Sequence, residues 1–186
     1  MNRRTLIRIP LLLAFSSLSA RAGSRDALGI VRAGGCGIMI RHALTVPGIG
    51  DPPEFALGDC STQRNLSDAG REQSRRIGRW FRDNDLQPRH VYSSQWCRCR
   101  DTASLAFGEY TELTALNSTF AERSGNREPQ TRALRAVLGE IPDGRFDVFV
   151  THQVNISALT GRGASMGEGV VVDRAGQVMG SLRFGA

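Results

Sequence analysis

Four side chains in this sequence are suited to phosphate chemistry, and they lie at separate places along the chain. Arg41 and His42 follow a short apolar run, Arg98 comes shortly after a second one, and His152 follows a third. An imidazole is largely uncharged and nucleophilic near neutral pH, and a guanidinium is a planar fork of donors that matches phosphate oxygens. A histidine beside an arginine can therefore attack a phosphorus atom that the arginine holds. An Arg-His pair alone is a weak signal, because a second pair occurs in this arginine-rich chain.

The apolar runs that precede these residues have the length and composition of buried strands. We predict strands at about Cys36–Arg41, from His90 to Ser93, and at Phe146–Thr151, with helical patterns between them. Strands alternating with helices favour an α/β fold, a three-layer sandwich whose mostly parallel central sheet has helices on both faces. Carboxyl ends of parallel strands lie on one edge of the sheet, which is where ligands bind in such folds. His90 begins a strand and is therefore expected at the opposite edge.

Further elements follow from periodicity and capping residues. Ser67 is expected to cap a helix that runs to about Asn84. The other predicted elements are a helical or irregular lead-in from Ser24 to Arg32, helices at 96–107, from Glu128 and at 156–160, a third strand at 111–117, and a C-terminal hairpin around 173–176. The helix after Ser93-Ser94 is expected to direct backbone N–H donors at the proposed anion.

The segment 43–64 contains Asp51-Pro52-Pro53 and several glycines, which do not suit regular structure. A long loop next to a strand end is more often functional than accidental. We expect it to form one wall of a pocket. The alternative is a surface excursion that is tied down through Cys60.

Residues 1–22 have the pattern of a cleavable export signal. Arg3 and Arg4 supply the positive start, an apolar segment too short to span a bilayer follows, and Ala20-Arg21-Ala22 has the form of a cleavage site. The pair of arginines also suits a twin-arginine signal. We therefore expect residues 23–186 to form one domain in the periplasm or outside the cell, without a stable membrane anchor.

Charge and cysteine content exclude some classes of function. All 24 basic residues are arginine; four lie in the leader, which has no acid, so 20 remain against 18 acidic residues. This near balance implies no nucleic-acid partner, and the absence of lysine excludes Schiff-base chemistry. Four cysteines in an exported chain predict one or two disulfides, with at least one of Cys97 and Cys99 pairing elsewhere. The alternative interpretation, a zinc site, lacks any Cys-x-x-Cys pair.

Five short blocks, taken in order, resemble the histidine phosphatase superfamily, also called phosphoglycerate mutase-like. The first is Arg41-His42-Ala43-Leu44-Thr45, which is similar to the family's Arg-His-Gly-x-Thr. The others are Leu66-Ser67-Asp68-Ala69-Gly70-Arg71-Glu72-Gln73, the run from Ser94 to Ala103 with its Ser-x-x-x-Arg-x-x-x-Thr-Ala pattern, Ala121-Glu122-Arg123-Ser124-Gly125, and Val150-Thr151-His152. Five blocks in the family's order are far more specific than any one of them.

The resemblance implies a role for each matching residue. His42 is the nucleophile that forms a phosphohistidine, and Glu122 is the acid that protonates the leaving oxygen. Arg41, Arg98 and His152 bind the phosphoryl oxygens. Thr45 and Ser94 are further phosphate contacts, with a turn-stabilising role as the alternative; Glu128, Glu112 and Asp143 are the other candidates for the acid. No metal or cofactor is implied, because the arginines supply the positive charge.

This sequence departs from the family pattern at Ala43 and at Gln153, where the family has glycine. The alanine is acceptable if its φ is negative, and the glutamine is expected at the mouth of the pocket. The resulting prediction is a phosphomonoester hydrolase, with a periplasmic sugar or lipopolysaccharide phosphate as one hypothesis for its substrate. The alternatives are a phosphomutase of the same fold and a noncatalytic protein that binds a phosphate ligand.

Overall fold

The computed structural model describes residues 25–120 and 127–185, and these form an α/β fold around one six-stranded sheet. The strands are β1 (Cys36–Arg41), β2 (Val91–Ser93), β3 (Thr111–Glu112), β4 (Phe146–Thr151), β5 (Gly169–Asp173) and β6 (Val178–Leu182). Their order is β3-β2-β4-β1-β5-β6. Strands β3, β2, β4 and β1 are parallel to one another, whereas β5 is antiparallel to both of its neighbours, β1 and β6. The predicted fold class is confirmed.

In the described part of the chain, five helices cover the two faces of the sheet. They are α1 (Arg25–Ala33), α2 (Asp68–Asp83), α3 (Cys97–Phe107), α4 (Arg127–Gly139) and α5 (Gln153–Thr160). Side chains alternate along each strand, so Ile38 and Ile40 pack with α1, α2 and α3, whereas Met39 packs with α4 and α5. The central strands are buried on both faces, which explains why their sequences read as continuous apolar runs.

The boundaries of α2 and α3 and the start of α4 lie within one residue of those expected from the sequence, whereas α5 begins at Gln153, three residues earlier than expected. Ser67 caps α2 by accepting a hydrogen bond from the backbone N–H of Gly70, and Gly161 ends α5 in the left-handed conformation. The lead-in is helical, as α1. The predicted leader, residues 1–22, and the predicted acid, Glu122, lie outside the described residues.

The predicted third strand, 111–117, is wrong over most of its length. Only Thr111 and Glu112 pair with β2, and a 3₁₀ turn follows at Thr114–Leu116. This turn buries the adjacent residues Ala115 and Leu116 together against α4 and α5. In a strand, these two neighbours would lie on opposite faces of the sheet. Packing of both side chains on one face therefore favours the turn.

One disulfide joins Cys60 in the long loop to Cys97 at the start of α3. Cys36 and Cys99 are free and buried. The expectation that one of Cys97 and Cys99 pairs elsewhere is therefore confirmed. Within 25–120 and 127–185, no helix has both the length and the apolar character needed to cross a membrane.

Candidate active site

The carboxyl ends of β1 and β4, together with the start of α3, surround a cavity of about 530 Å³. His42 directly follows β1, and His152 directly follows β4. Because β1 and β4 are parallel neighbours, with Arg41 opposite Thr151, the two imidazole rings lie with their centroids 5.5 Å apart. Arg41 and Arg98 line the same cavity. The convergence predicted from the strand ends therefore exists in the structure.

His42 is held as a neutral ring with a free lone pair. Its Nδ1 lies 2.9 Å from the carbonyl oxygen of Ala43, and because a carbonyl only accepts hydrogen bonds, Nδ1 must carry the hydrogen. Burial, together with three nearby arginines, lowers the pKa of His42 to about 3. The Nε2 atom is therefore unprotonated over the physiological pH range and has the lone pair that a nucleophile needs.

The segment after β1 is fixed by α2 and α3 through residues of the family blocks. Thr102 accepts a hydrogen bond from the backbone N–H of Ala43 at 3.0 Å. Gln73 accepts one from the N–H of Leu44 at 2.9 Å and donates to the carbonyl of Met166 at 3.0 Å. Ala43 is fully buried and does not have a positive φ, so alanine is compatible with the backbone at this position. These bonds fix the backbone that carries His42.

Gly70 allows α2 to approach this segment closely. A Cβ atom built on Gly70 would lie 1.8 Å from the carbonyl oxygen of Leu44. Only glycine fits at this crossing, and the N–H of Ser67 donates to the same carbonyl at 3.1 Å. The glycine of the second block is thus explained by packing.

His152 is oriented by a chain of hydrogen bonds from Asn117 through Ser94. The Asn117 amide oxygen accepts the backbone N–H of Gln95 at 2.9 Å and lies 3.2 Å from the Ser94 hydroxyl, which donates to it. The Ser94 oxygen then accepts from Nε2 of His152 at 2.9 Å. Nδ1 of His152 is left to accept from Arg98 at 3.4 Å. The residue is almost fully buried, and this burial, beside Arg98, holds the pKa of the ring well below the usual range.

Arg98 makes a buried ion pair with Asp51 from the long loop. Its two terminal nitrogens donate to the two carboxylate oxygens at 2.7 and 3.1 Å. Asp51 also accepts from the Trp96 indole at 3.0 Å and from the backbone N–H of Arg64 at 3.0 Å. Although burial alone would raise it, the pKa of Asp51 is lowered by the hydrogen bond from Arg98 and by the other donors around it. Asp51 is therefore ionised, and its carboxylate already occupies the guanidinium of Arg98, which the sequence predicted to bind phosphate.

The long loop does form a wall of the cavity, through its residues 48–53 and Phe55. Arg64, at the end of the loop, is a third arginine in the lining. It donates to the carbonyl of Gly50 at 2.8 Å and to the hydroxyl of Thr45 at 2.6 Å. The loop is also tied to α3 through the Cys60–Cys97 disulfide, so the expected pocket wall and the expected tie through Cys60 are both present. Gln153 lines the cavity as expected.

Other predicted residues lie outside the lining. Thr45 and Ser94 do not line the cavity and contact Arg64 and His152 instead. Among the alternative acids, Glu112 pairs with Arg100, Glu128 is exposed beside Arg132, and Asp143 pairs with Arg174. None of these three acids lines the cavity.

Four of the backbone N–H donors around the start of α3 are already used by the protein. The N–H groups of Ser94, Gln95, Trp96 and Cys97 bond to Val150, Asn117, Ser94 and Gln63, respectively. The expectation is wrong for these four groups, because the connection from β2 to α3 satisfies them; among the described residues, the N–H of Arg98 has no hydrogen-bond partner. The positive charge for an anion comes instead from the side chains of Arg41, Arg64 and Arg98.

A family model described as "Histidine phosphatase superfamily (branch 1)" matches residues 38–132, which span the first histidine, α2 and the Arg98 segment. The chain belongs to the histidine phosphatase superfamily. A search of curated protein sequences found no match.

Several solved structures share this fold. A putative phosphohistidine phosphatase SixA from Agrobacterium tumefaciens is 19% identical with a TM-score of 0.53, over 80% of this chain and 98% of that one. A protein histidine phosphatase SixA complexed with tungstate is 15% identical with a TM-score of 0.52, over 77% and 92% of the two chains. The protein TTHB049 from Thermus thermophilus is 17% identical with a TM-score of 0.54, over 79% and 98%. At these identities the likeness shows the fold alone.

Proposed function

We propose that the protein is a phosphomonoester hydrolase that works through a phosphohistidine on His42. The observation that carries this proposal is the neutral His42 ring, whose Nδ1 hydrogen is committed to the Ala43 carbonyl, in a cavity that Arg41 and Arg98 also line. A neutral nucleophile surrounded by cations suits attack on a phosphate dianion, because phosphoryl transfer depends mainly on positioning and charge stabilisation.

The reaction has two displacements. In the first, Nε2 of His42 attacks phosphorus and the P–O bond to the alcohol breaks, with an acid supplying the proton that the alcohol carries away. In the second, water gives a proton to the same acid group, now a base, and attacks phosphorus; the P–N bond breaks, and inorganic phosphate and free His42 result. Arg41, Arg64 and Arg98 hold the equatorial oxygens through both steps.

His152 needs a proton on Nδ1 before it can donate to a phosphoryl oxygen, because in this structure that atom accepts from Arg98. A bound dianion offsets the field of the arginines that lower the pKa of this ring. We therefore assign His152 a donor role in the occupied site, after protonation.

Glu122 is the proposed acid. In support, Phe120, two residues earlier in the sequence, lines the cavity. The alternative acids Glu112, Glu128 and Asp143 do not line it, and Asp51 is held ionised by Arg98. The prediction is that Glu122→Gln lowers hydrolysis of alkyl phosphates far more than that of p-nitrophenyl phosphate, whose leaving group needs little protonation.

Export is part of the proposal. Its support is the leader-like sequence of residues 1–22 and the Cys60–Cys97 disulfide, a bond typical of oxidising compartments. Expression of the full chain followed by fractionation and N-terminal sequencing tests it. A mature protein that begins near residue 23 in the periplasm or medium supports export, and an intact cytoplasmic chain contradicts it.

The test of the reaction is release of phosphate from p-nitrophenyl phosphate, with and without a metal chelator. We expect chelator-resistant turnover that falls by at least about 10³-fold in His42→Ala. His90→Ala is the matched control, because His90 is exposed and precedes β2 at the opposite edge of the sheet. A folded wild type that binds phosphate without turnover would support the noncatalytic alternative.

A further inference from the structure

The outer part of the cavity differs in character from its charged floor. Besides the histidines and arginines, the cavity is lined by apolar side chains from five segments: the long loop, the residue before α3, the segment after the 3₁₀ turn at Thr114–Leu116, the start of α5, and the loop before β5. These side chains are Ile49, Pro52, Pro53, Phe55, Trp96, Phe120, Val154 and Met166. A site of this kind positions a phosphate at its base and an organic group along its walls.

Two of these wall residues are unusually exposed. Ile49 is 91% exposed and Phe120 is 61% exposed, and they are among five large hydrophobic side chains that are exposed in the described part of the chain. They come from different segments, and Phe120 packs beside the residue that follows Ile49: a Cβ on Gly50 would be 3.4 Å from the Phe120 ring. Apolar side chains that cluster at a cavity mouth indicate an apolar ligand, whereas isolated ones need no explanation.

The polar side chains in the wall are already engaged within the protein. Gln153 accepts from the N–H of Ala164 at 2.9 Å and donates to Ser157 at 3.1 Å. Ser118 accepts from the N–H of Phe120 at 3.3 Å, and both oxygens of Asp51 are bonded to Arg98. Few side-chain groups in this wall are therefore free to replace the hydrogen bonds that a polyhydroxyl group gives up to water, and this loss costs binding free energy.

We propose that the substrate is a small phosphomonoester whose alcohol is apolar, an alkyl or aryl phosphate rather than a sugar phosphate. The proposal rests on the hydrolase function proposed above and deepens it. The phosphate binds among Arg41, Arg64 and Arg98, and the hydrocarbon lies against Ile49, Phe55 and Phe120. This class replaces the sugar or lipopolysaccharide phosphate that the sequence suggested.

The test uses n-alkyl phosphates from ethyl to octyl, with glucose 6-phosphate as the hydroxylated comparison. The leaving alcohols of the alkyl series have nearly equal basicity, so differences in kcat/KM within the series report burial of the alkyl group. Released inorganic phosphate is measured. We expect kcat/KM to rise about 3-fold for each methylene until the chain outgrows the cavity. We also expect glucose 6-phosphate to react no faster than ethyl phosphate.

Substitutions in the cavity wall test which side chains contact the alkyl group. Ile49→Ser and Phe120→Ser are expected to reduce the rise with chain length. Val178→Ser is the matched control, because this side chain is also exposed but lies on β6 and does not line the cavity; it should keep the full rise.

The outcomes separate the two proposals. Hydrolysis of every ester with no dependence on chain length, or faster hydrolysis of glucose 6-phosphate, overturns the apolar class and leaves the hydrolase standing. If kcat/KM rises with alkyl length as steeply in Phe120→Ser and Ile49→Ser as in the wild type, then these two side chains do not bind the hydrocarbon. No hydrolysis of any ester by the folded protein overturns the hydrolase proposal, and the substrate class with it.

Discussion

At the residue scale, three arginines and the carboxylate of Asp51 line the described part of the cavity. Arg98 and Asp51 form a pair whose side chains are only 4% and 9% exposed. A phosphate that takes both terminal nitrogens of Arg98 must compete with this carboxylate, which already binds them in the bidentate manner that a phosphate would use. We therefore expect Asp51 to weaken phosphate binding while it stabilises the empty site.

We predict that Asp51→Asn binds inorganic phosphate about 10-fold more tightly, measured as the inhibition constant in the hydrolysis assay. Without phosphate, the same variant loses about 3 kcal/mol of stability, because a buried guanidinium is left without its counter-ion. Asp101→Asn is the control, since its pair with Arg71 is partly exposed. An unchanged or weaker inhibition constant in Asp51→Asn would show that Asp51 orients Arg98 and does not compete.

The two buried histidines also predict how stability depends on pH. Burial lowers the pKa of His42 from 6.5 to about 3 and lowers that of His152 well below 6.5. Because the folded pKa lies below the unfolded value, protonation favours the unfolded chain. The stability that these neutral rings contribute is complete above pH 6.5 and is lost as the pH falls toward the folded pKa.

We therefore expect the free energy of unfolding in urea to fall between about pH 6.5 and 4.5, a range above the titration of most carboxylates. His152→Gln should have a shallower fall, and His90→Gln should match the wild type, because His90 is exposed. Equal slopes in wild type and His152→Gln would mean that this ring is not held neutral by the fold.

At the scale of elements, α2 and the long loop position the residues that β1 and α3 carry. Gly70 and Gly78 lie on α2 at two close crossings: a Cβ would be 1.8 Å from the Leu44 carbonyl at Gly70 and 2.1 Å from the Ala106 carbonyl at Gly78. The first crossing supports the segment that carries His42, whereas the second joins α2 to α3 away from the cavity.

We predict that Gly70→Ala and Gly78→Ala both lower the melting temperature, and that only Gly70→Ala also lowers kcat. The reason is that a shift of Leu44 moves the backbone next to His42. Gly139→Ala, where a Cβ meets nothing within 4 Å, controls for the substitution itself. Equal kcat losses in Gly70→Ala and Gly78→Ala would contradict a specific role for the first crossing.

The Cys60–Cys97 disulfide joins the loop that carries Asp51 to the helix that carries Arg98. We expect a Cys60→Ser, Cys97→Ser double variant to lose about 2–4 kcal/mol of stability and to have a raised KM, because the loop wall is no longer tied to α3. Unfolding in urea and steady-state kinetics measure the two effects. Cys36→Ala is the control for loss of a buried sulfur. A raised KM in that control, or an unchanged KM in the double variant, would contradict the account.

At the scale of the whole molecule, the parallel sheet brings Arg41, His42 and His152 together although they are far apart in sequence. This convergence could be predicted, because each residue follows a strongly apolar strand and parallel strands end on one edge. The boundaries of α2 could also be predicted, from the Ser67 cap and from apolar residues that recur at helical spacing. These signals are local, and tertiary packing reinforced them.

Other features had no local signal. Asp51 and Arg64 lie in a loop without periodicity, and their pairing with Arg98 and Thr45 depends on how that loop folds back. The run 111–117 has strand-forming residues, but burial of Ala115 and Leu116 on one side required a turn. The donors at the start of α3 looked free in sequence, and only the fold shows that Asn117 and Gln63 occupy two of them.

The most direct test of the account is to identify the phosphorylated residue. The protein is mixed briefly with a phosphomonoester labelled on phosphorus, quenched in alkali, which preserves phosphohistidine, and mapped by peptide mass spectrometry. The account predicts label on His42 that disappears when excess unlabelled substrate is added before the quench. Label on another residue, or turnover with no label while His42→Ala keeps wild-type activity, would contradict it.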